Sequence, residues 1–123
     1  MIMRFSIGLS ALLLAAGAAM HASAYLGATR VIDASAMPAF YINAYKALWL
    51  VDSINMAGLA AAFALIAFRR ASAIPALIFV LALAPFAVAA TLYAFMGAFF
   101  AGHLMAASGA LAILAALSKR PTS

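Results

Sequence analysis

Residues 40–75 read FYINAYKALWLVDSINMAGLAAAFALIAFRRASAIP, and this stretch decides what kind of protein the chain makes. Its opening mixes Tyr41, Asn43, Tyr45, Lys46 and Trp49. Aromatic rings and a snorkelling lysine of this kind sit at headgroup level, with an apolar body in lipid and a polar tip in water. From Leu48 to Phe68 the sequence is then mostly apolar for about twenty residues, the length that crosses a hydrocarbon core of roughly 30 Å. Arg69 and Arg70 end the run. Pro75 opens the next one after only Ala71 to Ile74, and its missing N–H is no loss in a first helical turn. The pattern predicts two membrane-spanning helices joined by a tight basic hairpin.

Working outward, Phe5 to Tyr25 is an uncharged apolar run of the same length and makes a first span. Between it and the second, Gly27 to Pro38 carries Arg30, Asp33 and a closing proline, which predicts a loop. Downstream, Pro75 to Phe95 is a third span. Pro85 in its middle removes the bond to the Leu81 carbonyl and predicts a kink there. A turn near Gly97 leads to a fourth span over about 101–118, and Lys119, Arg120 and Pro121 close the chain. The expected fold is an all-α integral membrane protein. It has four antiparallel transmembrane helices in an up-down bundle, spans of about 5–25, 41–68, 75–95 and 101–118, and a single domain over residues 1–123.

Composition agrees with that reading. Of 123 residues, 71% are hydrophobic and 7% charged, more apolar side chain than a soluble domain of this size can bury. The absence of cysteine excludes disulfides, thiolate metal sites and cysteine nucleophiles. A net charge of +5 comes from basic residues spread at the ends of apolar runs, so it marks topology and forms no nucleic-acid patch. With the N-terminus inside, Arg4, Arg69, Arg70, Lys119 and Arg120 are cytoplasmic and only Arg30 and Lys46 lie outside. This predicts both termini inside a bacterial inner membrane. Residues 1–24 also have the form of a signal peptide, with Ala22-Ser23-Ala24 as a small-residue cleavage pattern, so the first span reads as either a removable signal or an anchor.

Ionisable groups inside spans are costly, which makes His21, Asp52 and His103 the informative residues. All three fall toward the outer ends of their spans. Gly17, His21 and Tyr25 share one face of the first span, and Tyr45, Trp49, Asp52 and Met56 step down one stripe of the second, with Asn55 three residues beyond Asp52. The candidate ligand-binding set is therefore His21, Tyr25, Tyr45, Trp49, Asp52, Asn55 and His103. Structural hydrogen bonding among helices is the plainer role for the same groups. Two histidines at equal depth would also suit haem b or, with Asp52, a divalent metal, although no local ligand motif accompanies them. Gly58 with Ala62, Ala57 with Ala61, and Gly102 with Ala106 and Ala110 are small-residue pairs that let helices approach, within the chain or in a homo-oligomer or larger membrane complex.

No nucleotide loop, catalytic triad or paired carboxylates are present in the sequence. The expectation is a non-enzymatic accessory subunit, or a binder of an apolar or amphipathic ligand in the outer half of the bundle. The alternative is a small transporter or a haem- or quinone-associated electron-transfer subunit using Asp52, His21 and His103.

Overall fold

The computed structural model describes residues 2–68 and 75–118. They form the helices α1 (Ile2–Ser23), α2 (Tyr25–Asp33), α3 (Ala39–Phe68), α4 (Pro75–Met96) and α5 (Phe100–Leu117), and no strand occurs among the described residues. Ala24 keeps helical dihedrals between α1 and α2. Bonds from Ala24 N–H to Met20 O (3.1 Å) and from Ala28 N–H to Ala24 O (3.0 Å) carry the ladder across the join. Four helices are then long and apolar enough to cross a membrane: Ile2–Asp33, Ala39–Phe68, Pro75–Met96 and Phe100–Leu117. At about 1.5 Å per residue, the first two (32 and 30 residues) reach ~45 Å and extend past a ~30 Å hydrocarbon core into the headgroups.

The segment expected as a loop over Gly27 to Pro38 differs: it is helical as far as Asp33, and only residues 34–38 leave the helix. Its charges do not break the helix, because Arg30 is exposed and Asp33 pairs with Lys46 Nζ of α3 at 2.6 Å. A lone glycine costs only about 1 kcal/mol against alanine in a helix. The break comes from Pro38, which disfavours helical dihedrals in the residue before it. Its carbonyl accepts the Tyr41 N–H at 2.9 Å and starts α3. Because the Asp33–Lys46 pair is partly solvated, Asp33→Asn should lower stability by less than about 1 kcal/mol, an effect that added salt removes in thermal melts. The basic hairpin at Arg69–Arg70 and the closing Lys119 and Arg120 lie outside the described residues.

α4 runs unbroken through the buried Pro85 to Met96. There Gly97 adopts the left-handed conformation (φ 73°) and gives its N–H to Tyr93 O at 3.1 Å, a glycine C-cap that turns the chain into α5.

α1 lies between α3 and α5, α4 packs on α5, and α2 leans on α3. No comparable contact joins α3 to α4. The interior is built from small residues, with Ala82, Ala112 and Ala115 buried among Ile7, Leu14, Phe63 and Ile78. In lipid this close approach of backbones replaces the hydrophobic drive that holds soluble cores. α5 makes two seats for aromatic rings of α4. A Cβ on Gly102 would lie 2.6 Å from Tyr93, and one on Gly109 would lie 2.7 Å from Phe86. Gly58 of α3, by contrast, has nothing within 4 Å of its Cβ position.

At the centre, Ser10 and Ser108 are fully buried and satisfy each other. Ser10 Oγ donates to Ser108 O at 2.9 Å, Ser108 Oγ donates to Ser10 O at 3.3 Å, and the hydroxyls are 2.8 Å apart. Ser10→Ala should weaken the α1–α5 contact by about 0.6 kcal/mol and by no more than about 1.7, the average and the maximum measured for interhelical bonds in a membrane protein, read by denaturant titration in detergent. The outer surface is apolar, with Phe40, Phe68, Phe95 and Leu117 mostly exposed, the arrangement that lipid requires and water does not favour.

Candidate functional site

At the end of the bundle where α1 finishes and α3 begins, His21 is the hub. Its ring stacks on the Trp49 indole with centroids 4.2 Å apart and planes 14° from parallel, and Tyr45 tilts against Trp49 at 5.6 Å. The indole Nε1–H donates to His21 O at 2.8 Å, so ring and backbone of His21 are both held by one residue of α3. His21 Nδ1 lies 2.9 Å from Ser53 Oγ, and Nε2 lies 3.6 Å from Asp52 Oδ2. The side chains of His21 and Asp52 are 27% and 43% exposed, neither sealed in nor fully solvated.

Helical spacing explains this convergence. Trp49, Asp52 and Met56 lie on one stripe of α3, and Gly17, Met20 and His21 on the facing stripe of α1. Together they border a cavity of about 300 Å³, closed on the other side by Val88, Leu92 and Met96 of α4 and by Phe99, Phe100, Leu104 and Met105. Met56 and Met105 are buried at its floor, while Met20 and Met96 stand exposed at its mouth. Gly17 gives the floor its room: a Cβ there would come within 3.0 Å of Met105 Cε and 3.6 Å of Met56 Sδ. Asp52 and His21 are the ionisable groups of this lining, and the rest is almost entirely apolar.

His103 faces elsewhere. Its Nδ1 bonds the Tyr93 hydroxyl at 2.9 Å, and neither residue lines the cavity. The two imidazoles therefore do not share a chamber, and no group of three or more His, Cys, Asp or Glu side chains is assembled among the described residues. Tyr25 is half-buried, and Asn55 is exposed on α3 outside the cavity. Of the sequence candidates, His21, Trp49 and Asp52 come together, Tyr45 buttresses them, and Tyr25, Asn55 and His103 stand apart.

Ser53, beside the cavity, and Met20, Met96 and Met105 are the residues that sequence reasoning did not single out. Met20, Met56, Met96 and Met105 come one from each spanning helix, and thioethers fill irregular apolar space without specifying it. A second, open groove of about 1310 Å³ runs between α1 and α3, lined mostly by alanine from the Arg4 end to Ser53. Apart from Arg4 and Ser53 it presents no polar side chain.

No known family model matches the chain, and neither a curated protein nor a solved structure shows significant similarity to it.

Proposed function

We propose that this chain is a non-enzymatic membrane protein that binds a small amphipathic ligand in the cavity between His21, Asp52 and Met105. The carrying observation is a chamber of about 300 Å³ with an apolar lining and one polar edge made by His21 and Asp52. An engineered cavity of roughly 150 Å³ holds benzene, so this space suits a ring with a short chain or head group attached. Apolar walls with a few convergent polar groups are the usual make-up of ligand pockets.

The reading includes an antiparallel up-down bundle in a bacterial inner membrane with both termini inside, and the bilayer as its partner. Support for antiparallel helices comes from paired contacts. Gly8 meets Ala67 where His21 meets Ser53, and Tyr93 meets Gly102 where Phe86 meets Gly109. Support for orientation comes from the basic residues, five of which then lie inside. The cavity falls in the outer half, and Pro85 kinks α4 below it. α3 and α4 make no comparable contact, so the side entrance from lipid is placed between them.

Topology is directly testable because the chain has no native cysteine. Single cysteines replacing Ser35 and Ser118 should react with an impermeant thiol reagent from outside and only after lysis, respectively; the reverse pattern overturns the orientation. For ligand binding, 3-phenylpropylamine and butylbenzene added to detergent-solubilised protein should perturb the emission of Trp49, the single tryptophan. Leu92→Trp read by calorimetry, or Gly17→Leu read by emission, fills the chamber and should abolish the response. A filled chamber that still responds, or a wild-type protein that never does, defeats the reading.

A further inference from the structure

The hydrogen bonds around His21 define which ligand the cavity takes. Ser53 has one hydroxyl proton, and it donates to the Trp49 carbonyl, an acceptor only, at 3.2 Å. In the neutral tautomer that donates Nδ1–H to Ser53 Oγ at 2.9 Å, Nε2 carries a lone pair 3.6 Å from Asp52 Oδ2. Two acceptors face each other across a gap too long for a direct hydrogen bond and short enough for one donor to touch both. Such a gap needs positive charge in it, either a proton on the pair or a cation that brings N–H donors.

The rest of the chain points the same way. The sequence has two carboxylates, Asp33 and Asp52. Asp33 is matched by Lys46 at 2.6 Å, whereas among the described residues Asp52 has His21 alone. Few other titratable or charged groups stand near the pair. On α3 they are Tyr45, against Trp49, and Lys46, held by Asp33. On α1 and α2 they are Tyr25 and the exposed Arg30. The walls given by α4 and α5 contain no titratable side chain, since His103 bonds Tyr93 outside the lining.

We infer that the cavity is a socket for a lipophilic primary ammonium ion, its N–H donors bridging His21 Nε2 and Asp52 Oδ2 and its apolar body lying among Met56, Met105, Leu92 and Phe100. Met56 and Met105 thioethers and the aromatic rim accept a cation's alkyl groups without competing for its N–H bonds. This inference rests on the ligand-binding reading of the cavity and adds the charge and donor pattern of the ligand.

The test compares three probes of one shape on the solubilised protein: 3-phenylpropylammonium, butylbenzene, which replaces the ammonium by a methyl group, and trimethyl(3-phenylpropyl)ammonium, which keeps the charge and has no N–H. Titration calorimetry with Trp49 emission should show the primary ammonium binding at least about tenfold tighter than either other probe, the worth of one charge-assisted hydrogen bond. Asp52→Asn, nearly isosteric, should bring the ammonium to parity with butylbenzene. Equal binding of ammonium and butylbenzene by the wild type, or an ammonium preference that survives Asp52→Asn, overturns the socket while leaving the cavity as a ligand site. If no probe binds, both the socket and the ligand-binding reading fall.

Discussion

Gly109→Val should destabilise the protein by about 1–3 kcal/mol, and Phe86→Ala in the same chain should recover a large part of that loss. The reason is local and one-sided. The Phe86 ring lies directly on Gly109, with Cδ2 and Cε2 2.7 and 2.8 Å from where a Cβ would stand. Any side chain there must push the ring or the whole of α4 away. α4 has little else to hold it, since α5 is the helix it packs on, and Gly102 under Tyr93 is the only other seat of this kind. A ring cannot shorten as a flexible chain can, so the overpacking is relieved mainly by helix separation. Phe86→Ala alone should cost stability by removing the packed ring, which makes the recovery in the double variant a non-additive signature. Thermal unfolding of the four proteins in one detergent measures the cycle. Additive losses would mean that the ring and the glycine do not share this contact.

Trp49→Ala should cost about 2–4 kcal/mol and blunt ligand binding as well. Three things go at once: the stack on His21 at 4.2 Å, the bond from Nε1–H to His21 O at 2.8 Å, and one wall of the cavity. Truncating a large aromatic side chain in a core costs about 3–5 kcal/mol, and partial exposure of Trp49 brings the expectation below that. The stacked pair contributes about 0.5–1.5 kcal/mol of it. Trp49→Phe separates the parts: the ring surface remains, the N–H is lost, and the loss should fall to about 1 kcal/mol. If Trp49→Ala and Trp49→Phe are equally stable, the indole is not the clamp on His21 that the geometry makes it.

Much of the architecture was legible from residues 40–75 and their neighbours, because apolar run length against bilayer thickness is a strong constraint that needs no tertiary information. The part misread was 27–33, where Arg30 and Asp33 looked like loop residues. Charge seeks water, but at a membrane surface a helix can supply that exposure without ending, and Pro38 was the true stop. In the site, the spacing of Trp49 and Asp52 on α3 and of His21 on α1 foretold their meeting at one depth. The place of His103 was not foretold, because depth does not fix rotation about a helix axis. Gly102, seated under Tyr93, sets the local contact of α5, and His103 beside it bonds the same tyrosine. Ser10 and Ser53 passed unnoticed for a similar reason. A serine in a helix can satisfy itself on its own backbone, as Ser53 does toward Trp49, so only the facing helix reveals its second role.

The entrance proposed between α3 and α4, which make no comparable contact, has a pharmacological consequence. A chamber that fills sideways from the acyl-chain region samples solute at its membrane concentration, which exceeds the aqueous one by the partition coefficient. Apparent potency across a homologous series of amines should then climb with each added methylene even where the chamber gains no contact from it. Bilayer composition, through its effect on partitioning, would tune the dose at which the protein responds.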